Sequence, residues 1–344
     1  MSDERPGLSR PATMRDVAAL AGVGIKTVSR VVNDEPGVSA QLAVRVADAI
    51  RLLDYRHDAT ASSLRRSDRR TATIGLLLED VANPFSSAVN RAIEDVANDR
   101  QTLVFAASSD GDPAREARYV RALASRRVDG LIAMPVASDQ RTLLNERQLG
   151  LPMVFIDRVS VSPDVDSVTV DNRAGAARAV AHLAARGHRR VAFLGDVGTI
   201  WTAEERYLGY LEGLAGNGIR LEPALVQRDL RGIAAAEATA VGFLRLAEPP
   251  TAFFAAQNLL AEGVVRALRE LDLRNSVALV GFDDFALADL LDPPVTVIAQ
   301  DPQAIGTEAA TRLFERLDGD ESPARHIVIP TRLIPRGSGE IPPG

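Results

Sequence analysis

Residues 13–34 read TMRDVAALAGVGIKTVSRVVND, and this stretch decides the architecture of the N-terminal part of the chain. A short helix is predicted at residues 13–21, because Thr13 and Asp16 have the spacing of an acidic capping box. The apolar face of this helix is predicted to consist of Val17, Leu20 and Ala21. Gly22 can adopt the left-handed backbone conformation that often ends a helix. Both ends of the first helix are therefore predicted from residues next to them.

A second helix is predicted at about residues 25–32, with Val28 buried and small Ala18 where the two helices cross. A third helix is predicted from Ser39, with an apolar stripe of Leu42, Val46, Ala49, Ile50 and Leu53. Two short helices joined by a three-residue turn that contains glycine are typical of a DNA-binding helix-turn-helix. The alternative is a helical hairpin that only packs.

Composition places the chain among globular proteins and locates its charge. The 344 residues allow two or three domains, and 46% apolar with 25% charged residues excludes disorder for most of the chain. The formal charge is −6, but residues 1–70 carry 12 Arg/Lys against 9 Asp/Glu, and residues 71–344 carry 28 against 37. A basic head on an acidic body hints that the head alone contacts nucleic acid.

The absence of cysteine excludes a disulfide framework, a thiolate zinc site and a cysteine nucleophile. The N-terminal residues MSDERPGLSRPATMRDV lack the apolar core of a secretory signal. The longest apolar runs are well short of the ~18 residues that span a bilayer. We therefore expect a soluble cytoplasmic protein.

Residues 56–72 are polar and arginine-rich and form the predicted linker. From Thr73 onward, apolar runs alternate with helical periods. The predicted strands are 74–78, 103–107, 130–134, 153–156, 167–170, 191–194, 252–255, 277–281 and 295–299. Alternating strands and helices predict a parallel sheet covered on both faces, and about 270 residues are too many for one sheet. The predicted fold is an all-α helix-turn-helix head plus an α/β body of two doubly wound parallel-sheet lobes.

Residues 13–34 resemble the N-terminal signature of the lac repressor family of bacterial transcription regulators. The similarity continues through the body in NPF (83–85), RVDGLI (127–132), VDN (170–172), HLAARGHRRVAFLG (182–195), GFDD (281–284) and QD (300–301). The resemblance implies a ligand-responsive repressor with a periplasmic-binding-protein-like body, and a homodimer that binds a pseudo-palindromic operator.

The resemblance also implies a division of the chain. The expected parts are a DNA-binding head at 1–58, a hinge helix or linker at 59–71, an effector-binding and dimerisation domain at 72–335 and a flexible tail at 336–344. Within the body, the expected N-lobe comprises 72–170 and 299–326, and the C-lobe comprises 171–298 and 327–335. The tail has no heptad repeat, which argues against a C-terminal coiled coil.

The second helix is predicted to enter the major groove of DNA with Ile25, Lys26 and Arg30 outward. Arg30 can make the bidentate contact to guanine that is worth ~1–3 kcal/mol of discrimination. Phosphate contacts are expected from Thr13, Thr27, Ser29 and Asn33. Gly24 departs from the family, which usually has serine or threonine there.

By resemblance, Tyr55 also contacts DNA, and residues 59–66 form a hinge helix that orders on operator DNA. Leu64 matches the leucine that wedges into the minor groove, and Ala61 matches the small residue on the same face. The alternative for this segment is a flexible tether. His57 and Asp58 depart from the family's usual Pro-Asn.

Ligands of doubly wound lobes bind near the carboxyl ends of strands, and several polar side chains are predicted there. The effector-contact candidates are Asn83, Phe85, Asp157, Arg206, Gln257, Asp283 and Gln300. Carboxylate, amide and guanidinium groups beside an aromatic ring suit a polyhydroxylated, carbohydrate-like small molecule. The alternative for each carboxylate is helix capping or an inter-lobe salt bridge, and Asp284 fits that structural role better. QNLLAEG at 257–263 departs from the family's Asn-Asp pair, so the effector's identity does not carry over.

No motif for catalysis is present, and the four histidines lack the spacing of metal ligands. We expect no enzyme, no cofactor and no metal. The alternatives are a sugar-metabolising enzyme and a transport-type sugar-binding protein built on the same two-lobe body. His188 is expected to end a helix as a cation. The helix after Pro84 is predicted to form either the dimer face or the core of a lobe.

Overall fold

The computed structural model describes residues 12–32, 35–55, 70–136 and 139–344. The chain divides into two compact units, Met1–Thr71 and Ala72–Gly344, here called the head and the body.

The head contains the three predicted helices, α1 (Met14–Ala21), α2 (Ile25–Val32) and α3 (Ala40–Leu52). The capping box at the start of α1 is confirmed. The Thr13 amide donates to the Asp16 carboxylate over 2.8 Å, and the Asp16 amide donates to the Thr13 hydroxyl over 3.4 Å. Gly22 ends α1 with φ of +63°, the left-handed conformation that glycine adopts without strain.

The core of the head consists of Val17, Ala18, Ala21, Val28, Val46 and Ala49. The expectation that Leu20 belongs to it is wrong, since Leu20 is 52% exposed. The buried stripe consists of Val17, Ala18 and Ala21, and Leu20 lies about 60° outside it, beyond Val17, at 100° per residue. Arg45 of α3 donates to the Ala21 carbonyl over 2.6 Å and so ties α3 to the end of α1.

The first lobe of the body is built on a six-stranded parallel sheet in the order β11-β5-β4-β3-β1-β2. Its strands are β1 (Thr73–Leu78), β2 (Leu103–Ser108), β3 (Gly130–Ala133), β4 (Met153–Ile156), β5 (Asp166–Val170) and β11 (His326–Ile329). Its helices are α4 (Pro84–Asp99), α5 (Pro113–Ser125), α6 (Arg141–Gln148) and α11 (Pro302–Leu317). The inner strands are buried on both faces, as expected for apolar runs in a covered parallel sheet.

The second lobe repeats this plan with the order β12-β10-β9-β8-β6-β7, in which only β12 runs antiparallel to its neighbour. Its strands are β6 (Val191–Leu194), β7 (Val226–Gln227), β8 (Ala252–Ala255), β9 (Ala278–Phe282), β10 (Thr296–Ala299) and β12 (Arg332–Ile334). Its helices are α7 (Asn172–Ala185), α8 (Trp201–Gly216), α9 (Gly232–Leu244) and α10 (Asn258–Glu270). Two further short 3₁₀ helices are Pro223–Leu225 and Ser338–Glu340.

All nine predicted strands are present, while β7, β11 and β12 were not predicted. The expected lobe boundary at residue 327 is wrong, because β11 pairs with β5 through Ile329 and extends the first sheet. The chain therefore makes its third crossing between the lobes after Ile329. A four-residue strand at the edge of a sheet is too short for its pattern of apolar residues to indicate which strand it pairs with.

The expected flexible tail at 336–344 is also wrong, because this segment packs on the second lobe. The buried Ser338 hydroxyl donates to the Leu279 carbonyl over 2.6 Å, and the Thr296 hydroxyl donates to Glu340 over 2.8 Å. The Ile341 carbonyl lies 2.8 Å from Nε2 of His188. His188 is fully buried, and burial lowers its pKa, so the expectation of a cation at a helix end is wrong.

One face of the helix after Pro84 packs into the core of the first lobe. Val89, Ala92 and Ile93 of α4 are fully buried, and α11 packs against them. Gly306 permits this close approach, since a Cβ there would lie 2.6 Å from the Val89 carbonyl oxygen. Within the described ranges, we find no helix with the length and apolar character needed to cross a bilayer.

Candidate functional site

The outward face of α2 carries the side chains predicted to meet base edges. Ile25 is 45% exposed, Lys26 is exposed and Arg30 is half-buried, whereas Val28 faces the core and is fully buried. The three predicted base readers are therefore at least partly accessible to solvent, on the side of α2 away from Val28.

The predicted phosphate ligands differ in their burial and in the hydrogen bonds that their side chains make within the head. Thr27 and Ser29 lie half-buried on α2. The Thr13 hydroxyl donates to Asp16 over 2.6 Å, so its proton serves the cap of α1. Tyr55 is half-buried and packs against the head core. Asn33, Ala61 and Leu64 lie outside the described residues.

Gly24 precedes α2 at the cap position, and its carbonyl accepts from the amides of Thr27 and Val28 over 2.9 and 3.2 Å. A Cβ at this position would meet nothing within 4 Å. The serine or threonine that the family usually has would therefore fit without rearrangement.

A cavity of about 280 Å³ lies in the body between the two lobes. All seven residues predicted to contact an effector line it, namely Asn83, Phe85, Asp157, Arg206, Gln257, Asp283 and Gln300. Asn83 and Gln257 cap α4 and α10 with their side-chain oxygens. Asp157, Asp283 and Gln300 directly follow β4, β9 and β10, which is the strand-end position that the sequence argument requires.

Arg206 is the centre of a buried polar network in this cavity. Its guanidinium donates to Asn172 over 2.8 Å, to the Ala256 carbonyl over 2.8 Å and to Asp283 over 3.2 Å. The guanidinium carbon also lies 3.8 Å from the centre of the Phe282 ring. Arg206 and Asp283 are about 95% buried, so each neutralises the other in a site where an isolated charge would be costly.

Asp157 has an unusual environment. It takes φ of +62° directly after β4, and its side chain is 11% exposed. The nearest cation, Arg158, is 3.9 Å away, and no described residue donates a hydrogen bond to the carboxylate. Burial raises the pKa of Asp157 to about 6, against the opposing effect of Arg158 and Arg206.

The two lobes are joined at the cavity by a pair of amide side chains. Nδ2 of Asn258 donates to Oδ1 of Asn83 over 3.2 Å, and the reverse contact measures 3.5 Å. Asn258 is the residue that replaces the family's usual aspartate, and it is 1% exposed. This departure in sequence therefore bears on how the lobes meet as well as on the shape of the cavity.

Sequence reasoning missed several charged residues that line the same cavity: Glu79, Asp80, Asp110, Arg158, Asp196 and Arg231. Glu79 directly follows β1, and Asp110 and Asp196 lie within two residues of the ends of β2 and β6. Their positions at strand ends are therefore the signal in the sequence that identifies these three residues. Asp284 has a structural partner, since its two carboxylate oxygens accept from Arg336 over 2.8 and 2.6 Å. This salt bridge lies within the second lobe, so the expectation of an inter-lobe salt bridge is wrong for Asp284.

In the part of the body and head that the structure describes, no three histidine or acidic side chains are grouped as ligands of a metal ion. The cavity instead offers hydrogen-bond donors and acceptors from both lobes. Its chemistry is that of a binding site for a small polar molecule.

Comparison with known proteins agrees with this division of the chain. A family model described as "Bacterial regulatory proteins, lacI family" matches residues 13–58, and one described as "Periplasmic binding protein-like domain" matches residues 180–339. The chain is 32% identical over 331 residues to the HTH-type transcriptional regulator RegA of Clostridium saccharobutylicum, which covers 95% of this chain and 98% of that protein. It is 31% identical over 328 residues to the ribose operon repressor of Halalkalibacterium halodurans, covering 94% and 96%.

Solved structures give the same result. The lac repressor dimer bound to operator and the anti-inducer ONPF matches with a TM-score of 0.85 and 26% identity, over 96% of this chain and 99% of that chain. The complex of the transcriptional regulator CelR with cellobiose matches with a TM-score of 0.72 and 29% identity, over 95% and 99%.

Head, body and cavity together define a DNA-binding transcription regulator that carries a ligand-binding domain of the sugar-binding type. The extent and level of identity are decisive for the family: the chain belongs to the lacI family of bacterial regulatory proteins. Its relatives are regulators, so the enzyme alternative and the transport alternative are both excluded.

Proposed function

We propose that this chain is a repressor that binds a pseudo-palindromic operator as a homodimer, with its affinity controlled by a small, polar, carbohydrate-like effector. The observation that carries the proposal is the cavity in which side chains from both lobes converge, in a chain that also has an exposed helix-turn-helix face. A regulator of bacterial operators works in the cytoplasm, where we place this protein.

In the proposed complex, α2 lies in the major groove. Arg30 donates two hydrogen bonds to one guanine, Lys26 contacts guanine or phosphate, and Ile25 packs against a thymine methyl group. Thr27 and Ser29 contact phosphates and so fix the position of the helix without selecting sequence. The roles of Asn33, Tyr55, Ala61 and Leu64 stay predictions from the resemblance.

In the cavity, effector hydroxyl groups exchange hydrogen bonds with Asp157, Arg206, Asp283 and Gln300. These residues belong to both lobes, so a bound ligand favours one relative arrangement of the lobes over another. A ligand shifts such an equilibrium only by its difference in affinity for the two states, typically ~1–3 kcal/mol. The Asn83–Asn258 contact is one interaction that this shift would change.

The second copy in the proposed dimer docks at the free edge of the first sheet. β2 pairs only with β1, and its apolar residues Leu103 and Phe105 are 66% and 44% exposed. Val81 is 41% exposed, and its amide donates to Ser108 at the end of the same strand. An exposed apolar strand with an unpaired edge can pair or pack with another chain, which supports a protein interface there.

The test is selection of bound duplexes from a random DNA pool, using the full-length protein and a chain that starts at Thr71. We expect the full-length protein alone to enrich a near-palindrome. Arg30→Ala should then lose preference at one symmetric base-pair position, by about 1–3 kcal/mol, while it keeps non-specific binding. A uniform loss across all sequences would show that Arg30 contacts phosphate.

The enriched duplex then serves as the probe for effectors. A panel of sugars and nucleosides is screened for compounds that change its binding. Enrichment of a single half-site would contradict the dimer, and enrichment by the chain that starts at Thr71 would contradict sequence recognition by the head.

A further inference from the structure

The inter-lobe cavity has more acidic groups than basic ones. Six carboxylates line it, those of Glu79, Asp80, Asp110, Asp157, Asp196 and Asp283. Three guanidinium groups oppose them, those of Arg158, Arg206 and Arg231. A neutral polyol does not require an excess of carboxylates over guanidinium groups. Each of its hydroxyl groups both donates and accepts, so equal numbers of donors and acceptors in the site can pair with it.

The two buried guanidinium groups form ion pairs with two of these six carboxylates. Arg206 pairs with Asp283 over 3.2 Å, and Arg158 pairs with Glu79 over 2.9 Å. Arg231 is exposed and has no ion-pair partner among the described residues. The deep part of the cavity is therefore acidic, and the one uncommitted cation lies on its exposed side.

Three of the six carboxylates lack a cationic hydrogen-bond partner: the exposed Asp80, which accepts from the Ala82 amide, and the less exposed Asp157 and Asp196. The latter two define the acidic part of the cavity. The Asp157 carboxylate accepts no hydrogen bond from a described residue, and that of Asp196 accepts one, from the Val197 amide over 2.6 Å. Both are largely buried, and both lie within electrostatic reach of the same Glu79 and Arg206. They follow β4 and β6, so one belongs to each lobe.

An orphaned acceptor points the same way. Gln300 donates through Nε2 to Asp283 over 2.5 Å, which fixes the orientation of its amide because the oxygen would be repelled by that carboxylate. Its Oε1 is buried without a partner. Nε of Arg158 is the one buried donor in the cavity that lacks a partner among the described residues. Counted together with the Asp157 carboxylate, the unpartnered acceptors outnumber this one donor, so the cavity favours a ligand with more donors than acceptors.

We propose that the effector is a polyhydroxylated molecule of about one ring that carries a cationic nitrogen, bound beside Asp157 and Asp196. The cavity volume, just below the ~300–1,000 Å³ typical of drug-sized ligands, matches a ligand of that size. Because the two carboxylates belong to different lobes, a ligand that contacts both of them favours the arrangement in which the lobes are closed. This inference rests on the proposed function, since it assumes that the cavity is the effector site.

The test uses probes matched in shape and different in charge, with the full-length protein at pH 7. Glucosamine and galactosamine are cationic, glucose, galactose and N-acetylglucosamine are neutral, and glucuronate and galacturonate are anionic. Calorimetric titration gives the affinity, and binding of the selected duplex is followed in the same samples. We expect the amino sugars to bind about 10- to 100-fold more tightly than their neutral parents, the gain expected of a charge-assisted hydrogen bond.

Asp196→Asn should remove that preference and leave binding of the neutral sugars within about threefold, since asparagine keeps the shape of the side chain. Asp157→Asn should remove the preference too and should also weaken the neutral sugars, because Asp157 exchanges hydrogen bonds with effector hydroxyl groups in the proposed complex. Asp95→Asn is the control, because Asp95 lies on α4 in an exposed pair with Arg91 outside the cavity. Amino-sugar binding should also weaken as the pH falls below about 6, where Asp157 takes up a proton. The nearby Glu79 and Asp283 favour this protonation, and Arg158 and Arg206 oppose it.

Equal or tighter binding of a neutral or anionic probe would overturn the inference while leaving the proposed function intact. Equal loss of neutral and amino sugars in Asp196→Asn would overturn it too, by showing a structural role. Binding of no probe would overturn both this inference and the carbohydrate-like effector. Retained binding of the duplex in those samples would still support the assignment as an operator-binding protein.

Discussion

Asp157→Asn should stabilise the ligand-free protein, although it removes a charged group from a polar site. Burial raises the pKa of Asp157 from the ordinary 3.8 to about 6, which means that the folded state disfavours the ionised carboxylate. At 1.36 kcal/mol per pKa unit, that rise corresponds to about 3 kcal/mol. Asparagine has the same shape, cannot ionise and tolerates the left-handed backbone at this position, where φ is +62°.

The gain has a defined dependence on pH. Below about pH 4 the carboxyl is protonated in both states, so the variant and the wild type should be equally stable. Between about pH 4 and 6 the folded protein holds a proton that the unfolded chain releases, so the wild type loses stability as the pH rises. Above about pH 6 the difference should be complete, up to about 3 kcal/mol in favour of Asp157→Asn.

The assay is urea unfolding at pH 4 and pH 7.5, followed by the fluorescence of Trp201, the single tryptophan, which begins α8 at the cavity. With a slope of about 3 kcal/mol per molar urea, the midpoint at pH 7.5 should rise by about 1 M. Asp95→Asn should move the midpoint at neither pH. An unchanged midpoint at pH 7.5, or a gain of the same size at both pH values, would refute the reasoning that burial penalises this charge.

Three further predictions concern contacts within and between chains. Phe105→Glu places a charge on the apolar strand edge and should raise the dimer dissociation constant at least tenfold in sedimentation equilibrium, whereas Leu149→Glu, at an 82% exposed residue outside that edge, should not. Asn258→Ala removes the amide pair with Asn83 and should cost about 1 kcal/mol of lobe–lobe interaction, measured as a larger radius of gyration in X-ray scattering; an unchanged radius would contradict a role in holding the lobes. Ending the chain at residue 336 removes at least three hydrogen bonds to the second lobe and should lower stability by about 3 kcal/mol, and an unchanged Tm would contradict the packed tail.

The helices of the head were predictable because their signals are local. The Thr13–Asp16 box, the left-handed Gly22 and the start of α2 at Ile25 depend on residues within about one turn of each other. Leu20 was wrongly assigned to the core of the head. In a helix as short as α1, the apolar residues alone do not fix the centre of the buried face, which depends on where the neighbouring helices pack. The strands of the body were predictable because burial on both faces demands continuous apolar runs.

The sequence by itself determined the head, the two-lobe plan and the seven polar or aromatic residues that meet at the cavity, since strand ends of a parallel sheet share one edge. Only the tertiary structure decided that β11 joins the first sheet, that the tail packs beside His188, and that Asn258 contacts Asn83 from the other lobe. The same is true of the burial that raises the pKa of Asp157. These features join residues up to about 175 positions apart, and their free energies depend on burial and distance in three dimensions, which a local pattern of residues does not encode.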